Sequence, residues 1–286
     1  MNVKYIRSTQ GAVGLLELDT ATQLATSLGL DLSVNKNVDI VQNLLLKMAK
    51  LAKQHLSGIV IDPLYSFEAI QLPGKGGCVT RLNAITAEMD PLALPVLMPD
   101  HGLEEIRNNY SLAKLELFFH PQEKNALQKK QVLAEIQDYC QYLGIDWMLK
   151  LKLFEPKGLT YDPDQFQEDL LNSVFELARF TNLIAIQYPL EPLTAATITA
   201  ELDVPWLMVD EHQDYEQFKN QLRICLENGA TGFAVGQVLW QDMTQLKLTD
   251  YELDWPQLEQ FLETTFQDRL IELMRITNEI SVANNE

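Results

Sequence analysis

The sequence is short of cysteine, of histidine and of basic residues to balance its acids. Three cysteines, Cys78, Cys140 and Cys225, are an odd number spread over 286 residues. They form neither a CxxC pair nor a zinc spacing, which argues against a disulfide framework and for a reducing, cytoplasmic setting. The four histidines, His55, His101, His120 and His212, are far apart in sequence and propose no metal centre. No run approaches the roughly 20 apolar residues of a membrane span, and Met1 to Arg7 has no apolar signal core. Lys and Arg number 22 against 40 Asp and Glu, a net charge of −18. Nucleic acid and anionic membranes both repel such a chain, so neither is expected as a partner. Phosphate-cradling glycine motifs are missing too. No GxGxxG follows the first strand, and Gly74-Lys75-Gly76-Gly77 does not match GxxxxGK[ST]. That cluster reads as a turn. No cofactor and no metal are expected.

What is present is ordinary globular composition, 47% hydrophobic and 8% aromatic. No Pro/Gly/Ser linker divides the chain, so residues 1–286 read as one domain, with about 276–286 as a polar C-terminal tail. Short apolar runs alternate with longer amphipathic ones throughout. Strands are expected at 12–18, 58–61, 94–98, 112–119, 147–154, 183–188, 206–209 and 232–235. Helical spacing covers 36–56, 127–143, 164–180, a helix stopped by Asn228-Gly229, and about 255–275. Eight strands alternating with helices predict an α/β fold, a single-domain (β/α)8 TIM barrel. A doubly wound sheet is the rival, and its nucleotide fingerprint is missing.

Barrel strands sort their side chains by parity. With Leu115 and Leu117 facing the helices, Lys114 and Glu116 point inward. Lys150 and Lys152 share the inward face of the fifth strand. Glu17 and Asp19 share one parity on the first, Asp62 ends the second, and Gln187 lies on the sixth. Buried charges are costly unless paired or wet, so this set predicts a polar cavity at the barrel mouth. Each residue also has a structural role open to it. The lysines and acids form an ion network filling the barrel, Asp62 before Pro63 terminates its strand, and His120 before Pro121 caps another.

Certain segments resemble a known family. They are Ile61-Asp62-Pro63-Leu64-Tyr65, Leu94 to Asp100, Ala113 to Pro121, Pro205-Trp206, and Asn228 to Trp240. In this order they look like the tagatose-bisphosphate aldolase family, which includes sulfofructose-phosphate aldolases. The resemblance covers about residues 12–240. It implies a (β/α)8 barrel that cleaves a ketose phosphate through a Schiff base on lysine. Lys114 and Asp62 match the family pattern.

The departures fall on the chemistry. The family's imine lysine on the sixth strand is Ala185, and the glutamate after it is Gln187. The acid/base glutamate of the fifth strand aligns with Lys150. Of the Asp-Gln-Arg-Gly after strand one only Asp19 survives. The phosphate-holding Ser-Ala-Gly turn is Asp210-Glu211-His212, and the arginine after strand eight is Gln237.

Three functions follow. One is a pseudoenzyme that binds a sugar, a sugar phosphate or a protein partner, in an oligomeric state the sequence does not define. Another is a carbon–carbon lyase with its imine moved to Lys150, Lys152 or Lys114. The third is a sugar-binding or isomerising barrel with Glu116 or Asp62 as base. Substrate-binding candidates are Asp19, Asp62, His120, Gln187 and Gln237. Crowding is expected to lower at least one lysine pKa from about 10.4, unless Glu116 holds Lys150 charged.

Overall fold

The computed structural model describes residues 2–84, 90–155, 162–211, 213–249 and 252–284. Eight parallel strands run β1 (Val13–Glu17), β2 (Gly58–Ile61), β3 (Gly77–Arg81), β4 (Leu112–Phe119), β5 (Trp147–Leu153), β6 (Leu183–Ile186), β7 (Trp206–Val209) and β8 (Gly232–Val235). Each pairs with the next, and β8 pairs with β1, so the barrel closes. This is the single-domain (β/α)8 barrel that the alternation predicts.

Helices α1 (Ala21–Leu28), α2 (Asn35–His55), α3 (Leu103–Asn108), α4 (Ala126–Leu143), α5 (Pro163–Leu177), α6 (Pro192–Glu201), α7 (Tyr215–Glu227), α8 (Gln237–Trp240), α9 (Trp255–Phe261) and α10 (Gln267–Ala283) accompany the strands. Their ends follow local chemistry. Asp162 and Asp214 accept the backbone N–H three residues on, at 2.8 Å each, and so cap α5 and α7. Gly144, at φ 68°, closes α4 in the left-handed conformation that glycine adopts without a Cβ penalty.

The interior has two levels. Toward the strand N-termini it is a dry floor that includes Val13, Leu15, Val60, Val79, Leu112, Met148, Leu183 and Leu207. Toward the C-termini the same inward parity presents charge. Lys114 stands beyond Leu112 on β4, and Lys150 beyond Met148 on β5. The inward placement of Lys114, Glu116 and Lys150 is as expected, and all three are buried.

Strand three is a correction. Residues 94–98 form no barrel strand. Leu97 makes one isolated antiparallel bridge to Asn83, and Val96 is 67% exposed. The strand lies instead at Gly77–Arg81, inside the segment that began as a glycine turn. Gly77 opens it because a Cβ there would meet the Tyr5 carbonyl oxygen at 2.5 Å. The C-terminal helix also continues past 275. Ile276 and Thr277 are buried, and α10 reaches Ala283 through most of the expected polar tail. His212 lies outside the described residues.

Candidate functional site

Glu17, the last residue of β1, is the centre of the barrel mouth. Its Oε1 accepts from Lys114 Nζ at 2.6 Å and its Oε2 from Lys150 Nζ at 2.6 Å. Lys114 also donates to Asp19 Oδ2 at 2.8 Å. Lys150 lies 3.8 Å from Glu116 Oε2, and Lys152 lies 3.1 Å from Glu116 Oε1. Arg81, the last residue of β3, reaches Asp62 Oδ2 at 3.0 Å and donates to the Asp19 carbonyl at 2.9 Å. Five strands thus converge on one ion network, because inward parity recurs at the same height on each.

Burial alone would push Glu17 upward, but the ammonium groups of Lys114 and Lys150 outweigh it and hold its carboxyl well below the usual range. Burial pulls Lys114 and Lys150 down. The carboxylates overturn this as well, Asp19 and Glu17 for Lys114, Glu17 and Glu116 for Lys150, so both pKa values rise. The like charge of Lys150 does lower Lys114, but the carboxylates outweigh it. The expectation of lowering fails for these two because Glu17 stands between them.

Asp210 follows β7. Its Oδ2 accepts the backbone N–H of Gly236 at 3.1 Å and of Val238 at 3.0 Å. In barrels of this kind the loops after strands seven and eight, with a short extra helix, commonly hold phosphate. Here the protein's own carboxylate takes those amides. Burial and the nearby Glu17 raise its pKa. Across the same end, Gln23 of α1 donates to Gln237, which joins the first and last βα connections.

Ala185 lies on the inward face of β6, in register with Lys150 of β5 and Leu207 of β7. It is fully buried and offers no amine.

The candidates separate into two groups. Lys114, Lys150, Lys152, Glu116, Asp19 and Asp62 come together in the network. Gln187 ties two strand ends, its Oε1 accepting the Leu153 N–H at 3.1 Å. Gln237 sits at the start of α8. His120 is buried at the β4–α4 turn. Its Nδ1 accepts from Gln122 N–H at 3.2 Å, and its Nε2 lies 3.3 Å from Asp169 on α5. Arg81 is missing from the sequence candidates, because its strand was placed elsewhere. The alternation Val79-Thr80-Arg81-Leu82 was the available signal. The sequence marks Asp210 only as a replacement in the phosphate-holding turn, not as an acceptor of amides.

No family model matches the chain. Its likeness is to solved structures. An archaeal fructose 1,6-bisphosphate aldolase superposes with a TM-score of 0.67 at 16% identity, covering 96% of each chain. An archaeal aldolase with its catalytic lysine covalently bound to the carbinolamine intermediate gives the same figures. Fructose-bisphosphate aldolase from Plasmodium falciparum, in complex with TRAP and a small-molecule inhibitor, gives 0.68 at 10% identity, covering 98% of this chain and 92% of that one. At these identities the likeness is one of fold. The chain has a (β/α)8 barrel fold similar to that of these aldolases. No helix among the described residues is long and apolar enough to cross a membrane.

Proposed function

We propose that this chain is a pseudoenzyme of the class I aldolase type, a divergent relative of the tagatose-bisphosphate and sulfofructose-phosphate aldolases that has kept a binding role and lost imine chemistry. The observation that carries this reading is Ala185, on the inward face of β6 beside Lys150, where the resemblance places the imine lysine. The amines that remain nearby are poor nucleophiles. Lys114 and Lys150 are held protonated by Glu17, and an ammonium has no lone pair to attack a carbonyl. The buried thiols of Cys78, Cys140 and Cys225 fit a cytoplasmic setting.

Borohydride treatment with dihydroxyacetone phosphate or fructose 1,6-bisphosphate is expected to leave the protein mass unchanged. A reduced adduct mapped to a barrel lysine sinks the proposal. One observation favours a second reading, the lyase with a moved lysine. Lys152 is 33% exposed and is paired with Glu116 alone among the carboxylates of the network, so an adduct would be expected there first.

Phosphate recognition is expected to be lost with the chemistry. Asp210 already fills the Gly236 and Val238 amides, and a phosphate approaching them meets like charge. Titration calorimetry at neutral pH should give no micromolar binding of fructose or tagatose bisphosphate. Micromolar affinity would show that Asp210 yields its place.

A further inference from the structure

We propose that the β1–β3 side of the barrel mouth binds a small uncharged polyol through Asp19, Thr20 and Arg81. This names a ligand class for the binding role proposed above and rests on that reading. Three side-chain atoms there make no hydrogen bond within the described protein although shielded from solvent: Asp19 Oδ1, Thr20 Oγ1 and Arg81 Nε. Asp19 and Arg81 are each only 4% exposed. Buried polar atoms without partners are rare and costly, and a cluster of them points to an occupant.

The side chains of Asp19 and Arg81 are held in place. Asp19 Oδ2 is fixed by Lys114 at 2.8 Å. The two terminal nitrogens of Arg81 are fixed by the Asp19 carbonyl at 2.9 Å and by Asp62 at 3.0 Å. The guanidinium therefore lies against the Asp19 backbone, with Nε left as a donor and Oδ1 as an acceptor. Thr20 Oγ1, on the next residue, does either. A hydroxyl group both donates and accepts, so adjacent hydroxyls on one small molecule match a donor, an acceptor and a group that is both.

Charge decides against an anion. The cations Lys114, Lys150, Lys152 and Arg81 each already face a carboxylate. Asp210 adds one further acid, placed on the Gly236 and Val238 amides. Among the described residues of this network no cation is left over to neutralise a phosphate or a carboxylate ligand, whereas an uncharged polyol brings no charge to neutralise.

The test uses the full chain with erythritol and glycerol, which carry no carbonyl and cannot form an imine. Dihydroxyacetone and its phosphate are compared alongside. Calorimetry and thermal shift should show millimolar binding of the uncharged polyols and weaker binding of the phosphate. Arg81→Lys keeps a cation for Asp62 and removes Nε, and should weaken polyol binding about tenfold. Thr20→Val, a near-isosteric change, should weaken it several-fold without lowering the melting temperature. The proposal is overturned if no uncharged polyol binds, if the phosphate binds more tightly than the alcohol, or if both variants bind as wild type does. A borohydride adduct with dihydroxyacetone would count against the pseudoenzyme reading alone, since erythritol binding does not depend on it.

Discussion

Replacing Glu17 with glutamine should be among the most damaging single substitutions in the molecule. Glu17 is 1% exposed and accepts from two ammonium groups at 2.6 Å each. Glutamine has a similar size, yet its amide offers one oxygen and turns N–H donors toward a lysine. Breaking a buried pair by removing one partner costs about 3–5 kcal/mol, because it leaves an uncompensated charge. In a chain of this size that corresponds to a melting temperature lower by about 10 °C. The double substitution Glu17→Gln with Lys150→Met removes one orphaned ammonium and should recover part of the loss. A melting temperature within about 2 °C of wild type for Glu17→Gln would mean that the network holds nothing together.

The acid dependence of this loss has a definite sign. The folded-state pKa of Glu17 lies below its ordinary value of 4.5. Its contribution is therefore complete above 4.5 and drains as pH falls through the folded value. The gap between wild type and Glu17→Gln should persist at neutral pH and close in strong acid. Asp62 and Asp210, raised by burial from 3.8, act in the opposite sense. Their contribution is present below 3.8 and fades as pH rises through their folded values.

Replacing Ala185 with lysine should create what the wild type lacks. The new side chain enters a packed interior, at a cost of about 1–3 kcal/mol for overpacking. Burial and the neighbouring Lys150 ammonium both favour its neutral form. A neutral amine attacks a ketone, water leaves, and hydride from borohydride fixes the imine as a secondary amine. Dihydroxyacetone with borohydride should then label position 185 in Ala185→Lys and label nothing in wild type or in Ala185→Met. A folded Ala185→Lys that takes up no label would show that β6 does not aim at a reacting carbonyl.

Much of the barrel was legible because apolar runs and helical stripes alternate in step with the fold. β4 matches its expected bounds, since Leu112 to Phe119 is an apolar run in which only Lys114 and Glu116, two residues apart, are charged. The third strand was misread for a physical reason. An apolar run reads as buried, yet Leu92, Leu94, Val96 and Leu97 are exposed in a long connection. The true strand opens on glycine and ends on arginine. Parity placed Lys114, Glu116 and Lys150 correctly, since it depends only on spacing along one strand. Which acid meets which base depends on geometry across the barrel, and that is why Glu17 as the shared partner, and the raised lysines that follow from it, were out of reach. Asp210 shows the same limit, since its partners are backbone amides at the start of α8.

The division of the interior into a dry floor and a charged rim bears on how such a protein changes over time. On β1, β4 and β5 the inward residues begin with ones that hold the barrel together and go on to charged ones at the mouth. Val13 and Leu15 precede Glu17, Leu112 precedes Lys114, and Met148 precedes Lys150. A lineage can therefore rewrite the ends of its strands while the beginnings keep the scaffold intact. The constraint on that rewriting is collective. A charge lost at one strand end must be matched by a change at another, so charged strand ends are expected to change by paired replacements across neighbouring strands.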